Sequence, residues 1–154
     1  MLLRPCLESD LPSVHAIEEA CFGPAGSLPF LVLRQYLDLC GTGFIVCDAG
    51  AEMSGNALAG FAVGGMALDD HTIGWILDVS VAPAFQGRGL GAGLCRRVLS
   101  LFSEKGTRRA RATVMPENHR SLSMLRRLGF TVIADIPDYF GPNERRLLVE
   151  IQLK

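Results

Sequence analysis

The chain has 154 residues, 49% of them apolar and 20% charged, which suits a single globular domain with a full core and excludes a disordered chain. Its net charge of −1 gives no electrostatic basis for binding nucleic acid or an anionic membrane, and charges or glycines break every apolar run before membrane-span length. Five cysteines without C-x-x-C spacing argue against a disulfide framework or a metal site, and with no leader-like apolar stretch after Met1 they read as thiols of a reducing, cytoplasmic compartment.

Leu2 to Arg4 is expected as a short first strand. Ser9-Asp10-Leu11-Pro12 has helix-start chemistry, and Val14, Ile17 and Ala20–Cys21 follow at helical spacing. Gly23 to Gly26 breaks the chain, and a second helix covers Phe30 to Leu39. Phe44 to Cys47 and Ala57 to Met66 read as antiparallel strands joined by a turn around Gly50 to Asn56. Ile73 to Val81 is nearly all apolar, as a central strand should be. Leu90, Leu94, Val98 and Leu101 mark one face of a long helix ending near Gly106. Arg109 to Val114 is a strand. Pro116-Glu117-Asn118 opens a further helix that Gly129 stops, and Thr131 to Ile133 and Leu147 to Leu153 are the last strands. The order predicts an α/β protein, a mixed central sheet with helices on both faces, in one domain over residues 1–154.

The run from Val79 to Leu94 is the most informative. A strand ends at Pro83, a glycine-dense turn with one arginine follows, and a helix starts at once. Such a turn gathers peptide N–H groups and a helix N-terminus at one spot, which suits a phosphate. A P-loop is excluded, because no lysine followed by Ser or Thr comes after the glycines. Gly87-x-Gly89-x-x-Ala92, with Glu117 downstream, fits a loose dinucleotide pattern, although Pro83, Phe85 and Gln86 separate its first glycine from the strand.

The third reading is Gln86-x-x-Gly89-x-Gly91. With Val79-x-Val81-Ala82-Pro83 before it and a Gly-Leu helix after it, this resembles the acetyl-CoA pyrophosphate loop of the GNAT N-acetyltransferases. Asn118-x-x-Ser121-x-x-Met124-Leu125-x-x-Leu128-Gly129-Phe130 is similar to the family's last-helix block, and the element order matches across essentially the whole chain. Ile17 to Phe22 and Asp138-Tyr139-Phe140 look like the branch that acetylates protein N-termini, including ribosomal-protein-alanine acetyltransferases. Two positions depart. The family's frequent last-helix tyrosine is Leu125, and the fifth-strand glutamate of the ribosomal-protein branch is Thr113.

The resemblance implies an enzyme that moves acetyl from acetyl-CoA to a primary amine by direct attack in a ternary complex. The amine is a protein N-terminus or a small molecule. It also implies splayed fourth and fifth strands, with the pantetheine arm along Val79 and Val81 and a backbone N–H near Val81 facing the developing oxyanion. Gln86, Gly87, Arg88, Gly89, Leu90 and Gly91 would hold the pyrophosphate, and Asn118 would touch the cofactor, although it also reads as a plain helix cap. Arg108, Arg109 and Arg111 are a solvated basic face or reach the cofactor's 3′-phosphate.

The catalytic candidates are Tyr139, in a loop bounded by prolines and glycine, and Asp78, a carboxylate inside a central strand on a face shared with Ile76 and Ser80. Each has a structural alternative: an aromatic covering a sheet edge for Tyr139, a buried ion pair or a hydrogen bond to a loop for Asp78. Tyr36 reads as core or as an acceptor-site wall. The competing function is an acyl-CoA-binding sensor of the same fold with little turnover. The protein is expected to be a monomer or homodimer with no metal, nucleic-acid or membrane partner.

Overall fold

The computed structural model of the chain describes residues 1–50 and 57–154, so most of the turn expected around Gly50 to Asn56 lies outside the described residues. The elements run β1 (Leu3–Pro5), α1 (Leu11–Phe22), α2 (Phe30–Cys40), β2 (Phe44–Asp48), β3 (Leu58–Met66) and β4 (Ile73–Val81). They continue with α3 (Leu90–Glu104), β5 (Arg109–Val114), α4 (His119–Arg127), β6 (Thr131–Ile136) and β7 (Arg146–Gln152). The strands form one mixed sheet in the order β1-β2-β3-β4-β5-β7-β6. β4 is central, as its apolar sequence predicts. β6 runs three residues further than its sequence signal, to Ile136, paired along β7.

Helices cover both faces. Val14, Leu33, Phe44, Phe61 and Val63 make the core beneath α1 and α2. Ala62, Ile76, Leu94, Val98, Phe102, Leu122 and Val149 make the core beneath α3 and α4. Fully burying each large apolar side chain contributes about 1.5–3 kcal/mol. Gly74 lets α3 sit close to the sheet, since a Cβ there would stand 2.6 Å from the Phe102 ring. That contact seats the C-terminal end of α3 on the start of β4, while Leu94 packs beside Gly60 near the other end.

Two irregularities interrupt β4. The first is a bulge. Asp78 is opposite Val63, but Ile76 is opposite Gly64, so Leu77 is an extra residue. The bulge overturns the expected shared face of Ile76 and Asp78. Ile76 turns into the α3 core, while Asp78 and Ser80 face α1 and α2.

The second irregularity is a split. β4 and β5 pair in parallel only over Ile73–Ile76 and Arg109–Ala112. β4 then continues to Val81 and β5 to Val114 without pairing. β5 is instead paired along its other edge to β7, Val114 standing opposite Leu147, and β7 to β6, Arg146 opposite Ile136. The loop 137–145 therefore lies at the same end of the sheet as the gap.

Candidate active site

The end of β4 is locked by its own loop. Pro83–Phe85 forms a single 3-10 turn, and Phe85 is buried. Gln86 then reaches back, its Nε2 donating to the Val81 carbonyl at 2.9 Å. Gly87 and Gly89 take φ of +80° and +78°, the left-handed region that glycine enters without strain. Leu90 opens α3. The Gly93 N–H donates to the Gly89 carbonyl at 3.1 Å, so the amides of Leu90, Gly91 and Ala92 point out of the helix end.

These amides face a groove of about 400 Å³. Val79, Val81, Gly87, Gly89, Asn118, Arg120, Met124 and Arg127 also line it, and its described lining holds two arginines and no carboxylate. The Arg120 guanidinium donates to Gln86 Oε1 at 2.7 Å, which joins α4 to the loop. A hollow of about 370 Å³ at the other end of α3 differs in kind: its Arg97 and Glu104 pair with each other at 3.2 Å.

The register also orients β4's backbone. Val81 lies opposite Gly60, while Ala82 N–H donates to the Ala59 carbonyl at 2.9 Å. In an antiparallel ladder that makes Val81–Gly60 a non-hydrogen-bonded pair, and Val79–Ala62 likewise. The N–H groups of Val79 and Val81 and the Val79 C=O therefore face away from β3, toward the gap, while the Val81 C=O is taken by Gln86 and Cys21. The donors fit an anionic ligand at the helix end and an amide-bearing chain along β4.

On the opposite face of β4 stands an acid pair. Glu18, on α1, is 1% exposed. It accepts from Ser80 Oγ at 2.8 Å and from the Leu28 N–H at 3.1 Å. Asp78 Oδ1 lies 3.5 Å from the same Ser80 hydroxyl. Burial first, then the Glu18 charge, push the Asp78 carboxyl up to about 8. Tyr36 of α2 faces the pair. Its phenol is raised by burial and then by Asp78. The Cys21 thiol, also raised by burial, donates to the Val81 carbonyl at 3.3 Å.

The structure brings Val79, Val81, Gln86, Gly87, Gly89, Leu90, Gly91 and Asn118 together around one groove. Asn118 also caps α4, its Oδ1 accepting from Ser121 N–H at 3.1 Å. Arg88 lies elsewhere: its guanidinium sits 5.2 Å over the Phe85 ring and donates to the Ala84 carbonyl at 3.3 Å. Tyr139 stacks edge-on with Phe140, ring centroids 4.8 Å apart, in the loop at the gap end of the sheet. Arg109 and Arg111 start β5, away from that end, and pair with Asp70 at 3.8 Å and Glu150 at 2.7 Å. Leu125 is buried in the core.

Sequence reasoning missed Glu18 and Arg120. For Glu18 a signal existed, because it falls on the helical stripe of Val14 and Cys21, where a carboxylate is out of place. Arg120 carried none, since α4 is rich in exposed arginines.

A split sheet, with an amide-lined groove on one face of β4 and an acid pair on the other, defines the site of this mixed α/β domain. The acetyltransferase (GNAT) family model matches residues 11–130, and the chain belongs to that family. The fold is shared with Ard1 from Thermoplasma volcanium, at a TM-score of 0.86 and 21% identity over 99% of this chain and 97% of that one. It is shared with the ribosomal-protein-alanine N-acetyltransferase from Brucella melitensis, at 0.82 and 20% identity over 99% and 100% of the chains. Chaetomium thermophilum Naa20, in complex with a bisubstrate analogue, matches at 0.85 and 16% identity over 99% and 87%. No curated protein matches the chain by sequence.

Proposed function

We propose that the protein transfers acetyl from acetyl-CoA to a primary amine, a polypeptide N-terminus or a small molecule, by direct attack in a ternary complex. The observation that carries this reading is the gap between β4 and β5, with an anion groove on its α3 side and titratable groups on its α1–α2 side. Family membership supports the acyl-transfer class. Neighbours that act on ribosomal-protein alanine, or that hold bisubstrate analogues, support an amine acceptor on a protein chain.

When bound, acetyl-CoA supplies a thioester, an acyl group already activated toward an amine. The chain's residues do the rest. The loop amides and Arg120 hold phosphate at the start of α3. The gap-facing groups of Val79 and Val81 hold an amide-bearing arm as another strand would, and the Val81 N–H is directed to stabilise negative charge on an acyl oxygen in the gap. Asp78 is the candidate proton acceptor from the amine. Tyr139 is the candidate acid or acceptor-positioning group at the gap end. A thiol with a pKa of roughly 8.5 leaves readily as thiolate, so buried Leu125 at the usual tyrosine position is tolerable.

A sensor that binds acyl-CoA without turnover draws its support from that leucine and from Thr113. The two readings separate on release of CoA thiol from acetyl-CoA with a panel of N-terminal peptides, polyamines and aminoglycosides. Thiol release with at least one amine supports the enzyme. Tight CoA binding with no release for any amine supports the sensor.

A further inference from the structure

Among the described residues, two well-shielded carboxylates are matched by arginine. Asp10 is held by Arg4 at 2.7 Å and Glu150 by Arg111 at 2.7 Å. Glu18 and Asp78 break that pattern. Among the described residues neither makes an ion pair with Lys, Arg or His, although Glu18 is almost fully buried. Its two oxygens are taken by Ser80 Oγ and the Leu28 N–H. Buried negative charge without a counter-charge is costly, and two things relieve it: a shared proton or an incoming cation. Ser80, which donates to Glu18 and stands 3.5 Å from Asp78, is itself part of the groove wall. The pair is thus one side chain away from the gap.

We infer that Glu18, Ser80 and Asp78 act as one unit that receives the acceptor as an ammonium and takes its proton, Asp78 accepting it and Glu18 acting as the positioning residue. This rests on the transferase reading. Glu18 anchors the Ser80 hydroxyl and sets Asp78's basicity through its charge. The ammonium proton moves to an Asp78 oxygen. The freed lone pair forms the C–N bond as the C–S bond breaks, the thiolate takes the second amine proton, and Asp78 returns its own to solvent. Among the described residues, the other titratable groups that feel the pair's charge are Cys21 of α1 and Tyr36 of α2. Burial holds both above their ordinary values, so neither competes as a base near neutrality.

The test measures kcat against pH with the best peptide acceptor. In the wild type, kcat should rise with pH on one limb. Glu18→Gln removes the like charge and should move that limb to lower pH by about one unit or more, with the KM for acetyl-CoA unchanged. Asp78→Asn should lower kcat by about 100- to 10,000-fold and abolish the limb. A second readout needs no turnover: infrared spectroscopy of the wild type at neutral pH should show a protonated carboxyl band that disappears on alkalinisation and is missing from Asp78→Asn. A limb unmoved in folded Glu18→Gln overturns the inference, as does a carboxyl band that persists in Asp78→Asn. Should Glu18→Gln not fold, the limb and band of Asp78→Asn decide. A wild type that acetylates no amine would fail the transferase reading, and the infrared result would still decide the pairing.

Discussion

Gly91 is the sharpest probe of the groove. A Cβ placed there would meet Met124 Sδ at 3.2 Å, Val81 Cγ2 at 3.7 Å and Val79 Cγ1 at 4.0 Å. The first contact is the far end of a flexible side chain, which can move. Gly91 also has ordinary helical φ, so Gly91→Ala should fold and gain up to about 0.5–1 kcal/mol from lower backbone entropy. Gly91→Val adds two methyls at the helix end, where the amides of Leu90 and Ala92 face the groove. Blocking even two charge-assisted hydrogen bonds, at about 1.5–3 kcal/mol each, costs about 3–6 kcal/mol, or two to four decades in Kd. Gly89 is a poorer probe. Its positive φ makes any side chain cost about 1–3 kcal/mol in strain before the ligand is considered. Isothermal titration of CoA into Gly91→Val, beside a melting curve, separates binding from folding. A Gly91→Val protein that melts normally and binds CoA within about threefold of wild type would refute the placement of the phosphate at the start of α3.

Arg120→Ala should weaken CoA binding by about ten- to a hundredfold at low salt and less at high salt, whereas Arg88→Ala, whose guanidinium rests on Phe85, should do less; titrations at two ionic strengths compare them. Tyr139→Phe should lower kcat by about 100-fold, the low end for a positioned acid, with CoA affinity intact, and unchanged turnover would rule out an acid–base role. Asp78 binds its proton more tightly folded than unfolded, about 8 against an ordinary 3.8. Its contribution to stability is full below the ordinary value and declines as pH rises to the folded one, by at most about 1.4 kcal/mol per pH unit. The melting temperature of Asp78→Asn should therefore gain on wild type between acid and neutral pH, and a pH-independent difference would contradict the shift.

Where residue spacing alone sets geometry, the sequence was readable. Leu90, Leu94 and Val98 at helical spacing gave α3, and the glycines after Gln86 gave a turn able to face an anion. Features set by tertiary partners were not readable. Nothing in Ile76-Leu77-Asp78 announces a bulge. It arises from β4's pairing with Val63 and Gly64, and it decides which face Asp78 joins. Arg88 reads as a phosphate ligand from its neighbours in the chain, and only the fold shows its guanidinium over the ring of Phe85, three residues earlier. Arg120 lies far along the sequence from Gln86, and only the packing of α4 beside the loop joins them.

The four-residue seam between β4 and β5 divides the sheet into two half-sheets, β1 to β4 and β5-β7-β6, each laddered within itself. The amides of Val79 and Val81 that face the gap are then backbone donors at an internal edge. In hydrogen exchange they should behave like the rim of the molecule although they sit in its central strand. A ligand laid along that edge would slow their exchange and join the halves through its own backbone-like groups. Whatever occupies the gap becomes an eighth strand in mechanical terms, and resistance of the chain to proteolysis would rise with the supply of that ligand.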